Sequence, residues 1–158
     1  MREKSINIRY MEYDSIDEIP ESYRILLEKA IAATENSYAP YSKFNVGAAV
    51  RMSGGEIVTG SNQENAASPS GLCAERVALF AAHHNLPNSA VEAIAIAAKR
   101  DGKLTEELTY PCAACLQVLA QSQLRGGKPI AVIIGSAEKV QIMDSVDALL
   151  PFSFNNLK

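Results

Sequence analysis

Three cysteines in two widely separated segments place the strongest constraint on how this chain can fold. Cys73 stands alone, whereas Cys112 and Cys115 are three residues apart directly after Pro111. Two sulfurs at this spacing near the start of a helix are a common zinc-binding arrangement. Three cysteines cannot all pair within one chain, and 158 residues can bury a core without disulfides. A fold that uses all three must bring two helix starts to one place.

Composition limits the classes of function. A formal net charge of −3 and a pI near 5.4 provide no positive surface for nucleic acid. No apolar run approaches the ~20 residues that a bilayer requires, and the first residues lack the apolar stretch of a secretory signal. We therefore expect a cytoplasmic protein that acts on a small molecule, without nucleic acid or membrane partners. We also expect one domain over residues 1–158, with residues 1–19 as an ordered extension or a loose arm.

Apolar periodicity, prolines and glycines predict the secondary structure. The predicted helices run from Pro20 to before Pro40, from Cys73 to His84 or Asn85, from Pro111 to Gly126-Gly127, and over the short segment Ser145–Leu150. The predicted strands are Val46–Met52, Ile57–Ser61, Ala93–Ala98 and Ile130–Ile134. This order predicts an α/β fold with a mixed sheet between helical layers.

The two histidines lie too far along the second predicted helix to share a metal with Cys73. At ~1.5 Å per residue, His83 would be about 15 Å from Cys73 along a continuous helix. We expect His83 and His84 to form a polar helix end that faces solvent. Three protein ligands leave one position for water, which is typical of catalytic rather than structural zinc.

Glu75 and Arg76 follow Cys73 and complete a candidate hydrolytic site. A carboxylate that is not itself a ligand can take a proton from water and deliver one to a leaving group. The alternative for Glu75 is a first-turn glutamate that complements the helix dipole. Arg76 is either a solvated helix residue or a hydrogen-bond donor that offsets the charge of three thiolates on Zn²⁺. A redox role for Cys112 and Cys115 would leave Cys73 and Glu75 unexplained.

The pattern Cys73-Ala74-Glu75-Arg76 followed by Pro111-Cys112-Ala113-Ala114-Cys115 resembles the zinc-dependent cytidine deaminase family. The resemblance extends from about Tyr38 to Phe154 and includes three further stretches, 38–49, 62–66 and 149–154. It implies a three-layer α/β/α fold with a five-stranded mixed sheet and one zinc ion per chain. It also implies the short branch of the family, a homotetramer with active sites near subunit interfaces.

The same resemblance implies roles for residues outside the metal cluster. Asn62 and Glu64 would hydrogen-bond the ribose, Phe44 would lie against the nucleoside, and the Ala74 backbone with Glu75 would read the pyrimidine. Phe154 would reach into a neighbouring subunit's site. From the residues alone, Asn62 and Glu64 are equally well turn residues, Phe44 a core aromatic and Phe154 a cap on its own core.

The resemblance implies hydrolysis of cytidine and 2′-deoxycytidine to the uridine products with release of ammonia, as in pyrimidine salvage. Three departures from the family pattern concern the substrate: Ser68 replaces a tyrosine, Leu116 an arginine and Ala113 a glycine. One alternative keeps the chemistry on another aminopyrimidine nucleoside, such as blasticidin S. Another is a non-catalytic structural zinc or binding module, which predicts a closed four-ligand site.

Overall fold

The computed structural model describes residues 1–156 as an α/β fold in which one mixed sheet lies between helices. The helices are α1 (Glu21–Ala33), α2 (Ala74–Asn85) and α3 (Ala113–Gly126). The strands are β1 (Met11–Tyr13), β2 (Phe44–Met52), β3 (Ile57–Ser61), β4 (Val91–Arg100), β5 (Lys103–Leu104), β6 (Ala131–Gly135) and β7 (Val140–Met143). Within residues 1–156, no helix combines the length and the apolar character needed to cross a membrane.

The sheet has seven strands rather than the five that the family resemblance implied. Its order is β1-β7-β6-β4-β2-β3, with β5 paired to β4. Only β4 and β6 are parallel; the other pairs are antiparallel. The two additional strands, β1 and β5, have three and two residues, too few to leave an alternating pattern in the sequence. Part of the N-terminal extension is thus ordered on the sheet.

The predicted longer elements are confirmed, with shifts at their ends. The largest is in the first helix, since α1 ends at Ala33 and only a 3₁₀ turn over Thr34–Asn36 follows it before Pro40. The predicted helix over Ser145–Leu150 is wrong in extent, since only Val146–Ala148 forms a single 3₁₀ turn, capped by the Ser145 side chain. The α3 helix begins two residues after Pro111, at Ala113. Strand β7 has no counterpart in the sequence prediction, because its four residues gave too short a pattern.

Alternating residues of the strands divide the core into two layers, as expected for a three-layer α/β/α fold. The face that packs on α1 is rich in alanine: Ala49, Ala93, Ala95 and Ala97. The opposite face, which packs on α2 and α3, carries larger aliphatic residues: Val50, Ile94, Ile96, Val132 and Ile134. Small side chains let α1 approach closely, and a Cβ at Gly47 would lie 2.0 Å from the Ala30 carbonyl oxygen.

The start of α2 is held close to the sheet by a second glycine. A Cβ at Gly60 in β3 would lie 2.5 Å from the Ala78 nitrogen and 2.7 Å from the Ala74 oxygen. Cys73 and Cys112 are the N-cap residues of α2 and α3, and both have extended backbone (φ −71°, ψ 153° and φ −68°, ψ 165°). The fold therefore presents both helix N-termini on the same side of the sheet.

Candidate active site

Three sulfurs meet where the N-termini of α2 and α3 converge. Cys73 Sγ lies 3.9 Å from Cys112 Sγ, and Cys112 Sγ lies 3.4 Å from Cys115 Sγ. All three sulfurs lie within 4.8 Å of one another. Zn–S bonds of about 2.3 Å in a tetrahedral site place sulfurs about 3.8 Å apart. The observed spacings, and the affinity of thiolates for zinc, fit this metal.

The three sulfurs have different surroundings. Arg76 Nη2 donates to Cys73 Sγ at 3.5 Å, and this contact raises the pKa of Arg76. Burial opposes ionisation of Cys112, but hydrogen bonds from the backbone N–H of Cys115 and contacts with the neighbouring thiols outweigh it and lower the pKa of Cys112. Burial and the nearby Glu75 raise the pKa of Cys115. A bound cation would offset the cost of ionising that third, buried thiol.

Glu75 lies in the first turn of α2, beside the sulfurs. Its side chain is buried, with 4% exposure, yet it borders the cleft described below. Burial raises its pKa, while its own backbone N–H and the Cys115 thiol oppose this shift. A carboxyl group with a raised pKa exchanges protons more readily near neutral pH than an ordinary surface glutamate. Its position and burial suit a group that carries protons.

The histidines remain outside the sulfur cluster, which holds only cysteines among residues 1–156. The expectation that both face solvent is wrong for His83. Its Nε2 lies 2.9 Å from Ser122 Oγ of α3, and the ring is half-buried, which lowers its pKa. His84 is exposed as expected. The difference arises because one side of the last turn of α2 packs on α3.

A cleft of about 640 Å³ opens beside the sulfur cluster. It is bordered by two of the cysteines and Glu75, and by four residues that the family resemblance had linked to the nucleoside: Phe44, Asn62, Glu64 and Ala74. A volume in this range holds a small organic ligand. The cleft thus brings a ligand-sized space, a buried carboxylate and three sulfurs together.

Asn62 and Glu64 organise the loops around the cleft, which was the alternative interpretation of both residues. Asn62 Oδ1 accepts from the Val46 N–H at 2.8 Å, and its Nδ2 donates to the Phe44 carbonyl at 2.9 Å. Glu64 accepts from the backbone N–H groups of Tyr41 (2.9 Å) and Ser42 (3.3 Å). Hydrogen bonding, chiefly with Ser42, lowers the pKa of Glu64. Both side chains are therefore held in the cleft wall by hydrogen bonds to backbone groups.

Phe154 does not border the cleft of its own chain. The residue is 66% exposed, which argues against a cap on its own core, and its carbonyl accepts from Gln117 Nε2 at 2.6 Å. Within residues 1–156, the structure leaves this ring on the surface of the protomer.

The three departures from the family pattern take different positions. Ser68 lines the cleft, Leu116 packs against the larger core layer, and Ala113 is the exposed first residue of α3. Sequence reasoning missed Tyr110, which also lines the cleft. The only available signal was its position directly before Pro111 and Cys112.

Together these features define a class of protein. Its members have a three-cysteine metal site beside a buried carboxylate, and that site opens to a cleft that can hold a small ligand. The family model for the cytidine and deoxycytidylate deaminase zinc-binding region matches residues 20–127. The chain therefore belongs to the cytidine and deoxycytidylate deaminase family.

Individual relatives agree with this family assignment. A cytidine deaminase of Sporosarcina psychrophila is 38% identical over 135 residues, which is 82% of this chain and 91% of the relative. One of Halalkalibacterium halodurans is 42% identical over 98 residues, 62% of this chain and 70% of the relative. The crystal structure of cytidine deaminase from Burkholderia pseudomallei matches with a TM-score of 0.71 at 35% identity, covering 84% of this chain and 98% of that chain.

Proposed function

We propose that this protein hydrolyses cytidine and 2′-deoxycytidine to uridine and 2′-deoxyuridine, with release of ammonia, as a single domain over residues 1–158. The observation that carries the proposal is the buried carboxylate of Glu75 beside three sulfurs within 4.8 Å of one another, at the edge of a nucleoside-sized cleft. The cytidine deaminase names of the relatives support the choice of substrate.

Cys73, Cys112 and Cys115 would hold one zinc ion per chain. When bound, zinc would supply an activated water by lowering the pKa of a water at its fourth position. Three thiolates would leave the centre with a charge of about −1, which weakens this effect. Arg76 counters that charge through its hydrogen bond to Cys73 Sγ.

Glu75 is the proton carrier of the proposed reaction. It would accept a proton from the attacking water and pass it to N3 of the pyrimidine. It would then accept the remaining proton of that water, from the hydroxyl now on C4, and deliver it to the departing amine. Its burial keeps bulk water from competing for these protons, and the same burial raises its pKa above that of a surface glutamate. The Ala74 backbone beside it would hold the edge of the pyrimidine.

Asn62, Glu64 and Phe44 would bind the remainder of the nucleoside. Asn62 keeps one Nδ2 hydrogen beyond its bond to the Phe44 carbonyl, and Glu64 is an ionised acceptor. A ribose hydroxyl offers both a donor and an acceptor, so this pair complements a sugar edge. The ring of Phe44 supplies apolar contact.

The non-catalytic alternative is less well supported. A structural zinc site uses four protein ligands, whereas the cluster within residues 1–156 contains three and borders a cleft. The alternative substrate, a bulkier nucleoside such as blasticidin S, would depend on the space that Ser68 leaves in the cleft wall.

We further propose a cytoplasmic homotetramer that serves pyrimidine salvage, with Phe154 reaching the cleft of a neighbouring subunit. The exposed rings of Phe154 and Phe80 lie on one side of the chain, since Gln117 borders the same groove as Phe80 and donates to the Phe154 carbonyl, and this exposed apolar surface supports an interface. Light scattering after size-exclusion chromatography would measure the assembly. A monomer at micromolar concentration would contradict it.

The decisive experiment combines turnover with metal analysis on the same sample. Zinc-loaded protein is mixed with cytidine, deoxycytidine or blasticidin S, and the loss of ultraviolet absorbance is followed. We expect about one zinc per chain and faster turnover of the two cytidines. No turnover of cytidine by fully loaded protein would overturn the proposed function.

A further inference from the structure

Strand β1, in the N-terminal segment that lies outside the matched family region, is connected to the cleft by three polar side chains. Tyr110 Oη donates to Gln141 Oε1 at 2.6 Å, and Gln141 Nε2 donates to Glu12 Oε2 at 2.6 Å. Tyr110 lines the cleft, whereas Gln141 and Glu12 do not border it. We call Tyr110, Gln141 and Glu12 the relay. The relay therefore runs from the edge of the sheet to the cleft wall.

The sheet register places the relay on the face that carries the site. Glu12 of β1 and Gln141 of β7 are direct partners in the antiparallel pair, so their side chains share one face. The neighbours of Gln141 along β7, Val140 and Ile142, belong to the core layer beneath α1. Gln141 therefore points to the opposite layer, toward α2 and α3.

Burial makes the two hydrogen bonds of Gln141 important. The residue is 7% exposed, and leaving a buried amide group without a partner costs about 1–3 kcal/mol. Tyr110 satisfies the amide oxygen, and the Glu12 carboxylate accepts a charge-assisted bond from the amide nitrogen. Lys139 Nζ lies 3.9 Å from the other Glu12 oxygen. The two hydrogen bonds of Gln141 thus link the position of Glu12 to the position of the Tyr110 hydroxyl.

Tyr110 is the member positioned to meet a ligand. It is 48% exposed, lines the cleft and directly precedes the segment that leads to Cys112. A tyrosine that is already fixed before binding loses less side-chain freedom when it packs against a ligand. Its anchored hydroxyl leaves the ring as the contact surface.

We propose that β1 sets nucleoside affinity: Tyr110 is a substrate-contact residue, and Glu12 is a positioning residue that acts through Gln141. This inference rests on the proposed function, since it concerns the nucleoside in the same cleft. It gives the N-terminal extension a role that the family match over residues 20–127 does not cover.

The test measures KM and kcat for cytidine with zinc-loaded variants of the full chain. Tyr110→Ala should raise KM about tenfold, the upper range of an aromatic contact, with kcat within about twofold. Glu12→Ala and Tyr110→Phe should each raise KM about threefold, because the ring remains but loses its anchor. Glu12→Gln keeps an acceptor oxygen and should restore near-normal KM. Glu138→Ala, which removes an exposed carboxylate beside β7, is the matched control and should change nothing.

The double variant Glu12→Ala/Tyr110→Ala separates positioning from general stability. If Glu12 acts only through Tyr110, the double variant should have the KM of Tyr110→Ala alone. Zinc content and melting temperature are measured on the same samples. Additive effects on KM, or loss of zinc and stability with KM unchanged, would overturn the inference while leaving the deaminase activity intact. Absence of cytidine turnover in the unmodified protein would instead overturn the proposed function, and the inference with it.

Discussion

On one face of the sheet, α1 rests on alanines and approaches so closely that Gly47 has no room for a side chain. On the other face, α2 and α3 rest on larger aliphatic residues and direct their N-termini at the sulfur cluster. The cleft beside the sulfurs is bordered by the start of α2 and by Cys112, and no residue of α1 lines it. The comparison shows that the site is built by two helix starts, whereas α1 packs on the opposite face of the sheet.

The largest expected effect is the loss of kcat on substitution of Glu75, which lies on the face of α2 and α3. Glu75→Gln keeps the size of the side chain but removes its proton exchange, so kcat should fall by about 10²–10⁴-fold with zinc retained. Steady-state rates and metal analysis check this. Glu92→Gln, a surface carboxylate on β4 that pairs with Lys128, is the control and should leave kcat unchanged. A near-normal rate for Glu75→Gln would remove the carboxylate from the mechanism.

Arg76 tests whether the charge of the sulfur cluster is tuned from the same helix. Arg76→Ala removes the donor to Cys73 Sγ and should lower zinc affinity or activity by about 10–100-fold, as for other residues that orient metal ligands. Competition with a chelator measures the affinity. Arg125→Ala loses a comparable guanidinium bond, to the Pro87 carbonyl, at the far end of α3. Equal losses in the two variants would mean that Arg76 acts only on stability.

A pair of glycine variants compares the two faces directly. Gly47→Ala and Gly60→Ala each force a Cβ against helix backbone, so each should destabilise the fold by about 1–3 kcal/mol in urea unfolding. Only Gly60→Ala displaces the start of α2, so only that variant should also lose zinc affinity and activity in its folded fraction. Matching losses of zinc in both would show that the two faces are not independent.

The smallest expected effect concerns the shape of the cleft. Ser68→Tyr adds a ring to the wall and should change the KM for cytidine by no more than about fivefold, or roughly 1 kcal/mol. Turnover of a bulkier nucleoside should fall further, because the added ring occupies the space it needs. Side-by-side kinetics on cytidine and blasticidin S decide this. Unchanged selectivity would show that Ser68 does not limit the substrate range.

The longer elements were predicted because each contains enough residues for an apolar stripe, or a continuous apolar run, to show in the sequence. Strand β3 was predicted with its exact bounds, Ile57–Ser61, because the preceding Ser53-Gly54-Gly55 turn and the change in pattern define both ends. Strands β1 and β5 were missed because two or three residues cannot show a period. Whether they form depends on the edge of a neighbouring strand, which exists only after the sheet has assembled.

The sequence predicted the metal cluster and Glu75 in more detail than the contacts that surround them. The residue types of the cysteines and Glu75 carry their chemistry wherever they stand, so the sequence alone indicated a metal site with a proton carrier. The solvent-facing prediction for His83 failed because its environment depends on Ser122, thirty-nine residues away on α3. No pattern in the sequence indicated that Glu12 and Tyr110 are linked through Gln141.

The sequence by itself predicted the three cysteines as metal ligands, a fourth position open to water, and the longer elements that carry these residues. These predictions depend on residue type and on spacing within short segments, and both are local. Tertiary structure alone decided that the three sulfurs lie within 4.8 Å, that Glu75 is buried beside them, and that the N-terminal strand reaches the cleft through Gln141. Those features arise from packing between segments distant in the chain, where burial and strand register, rather than local preference, set which side chains meet.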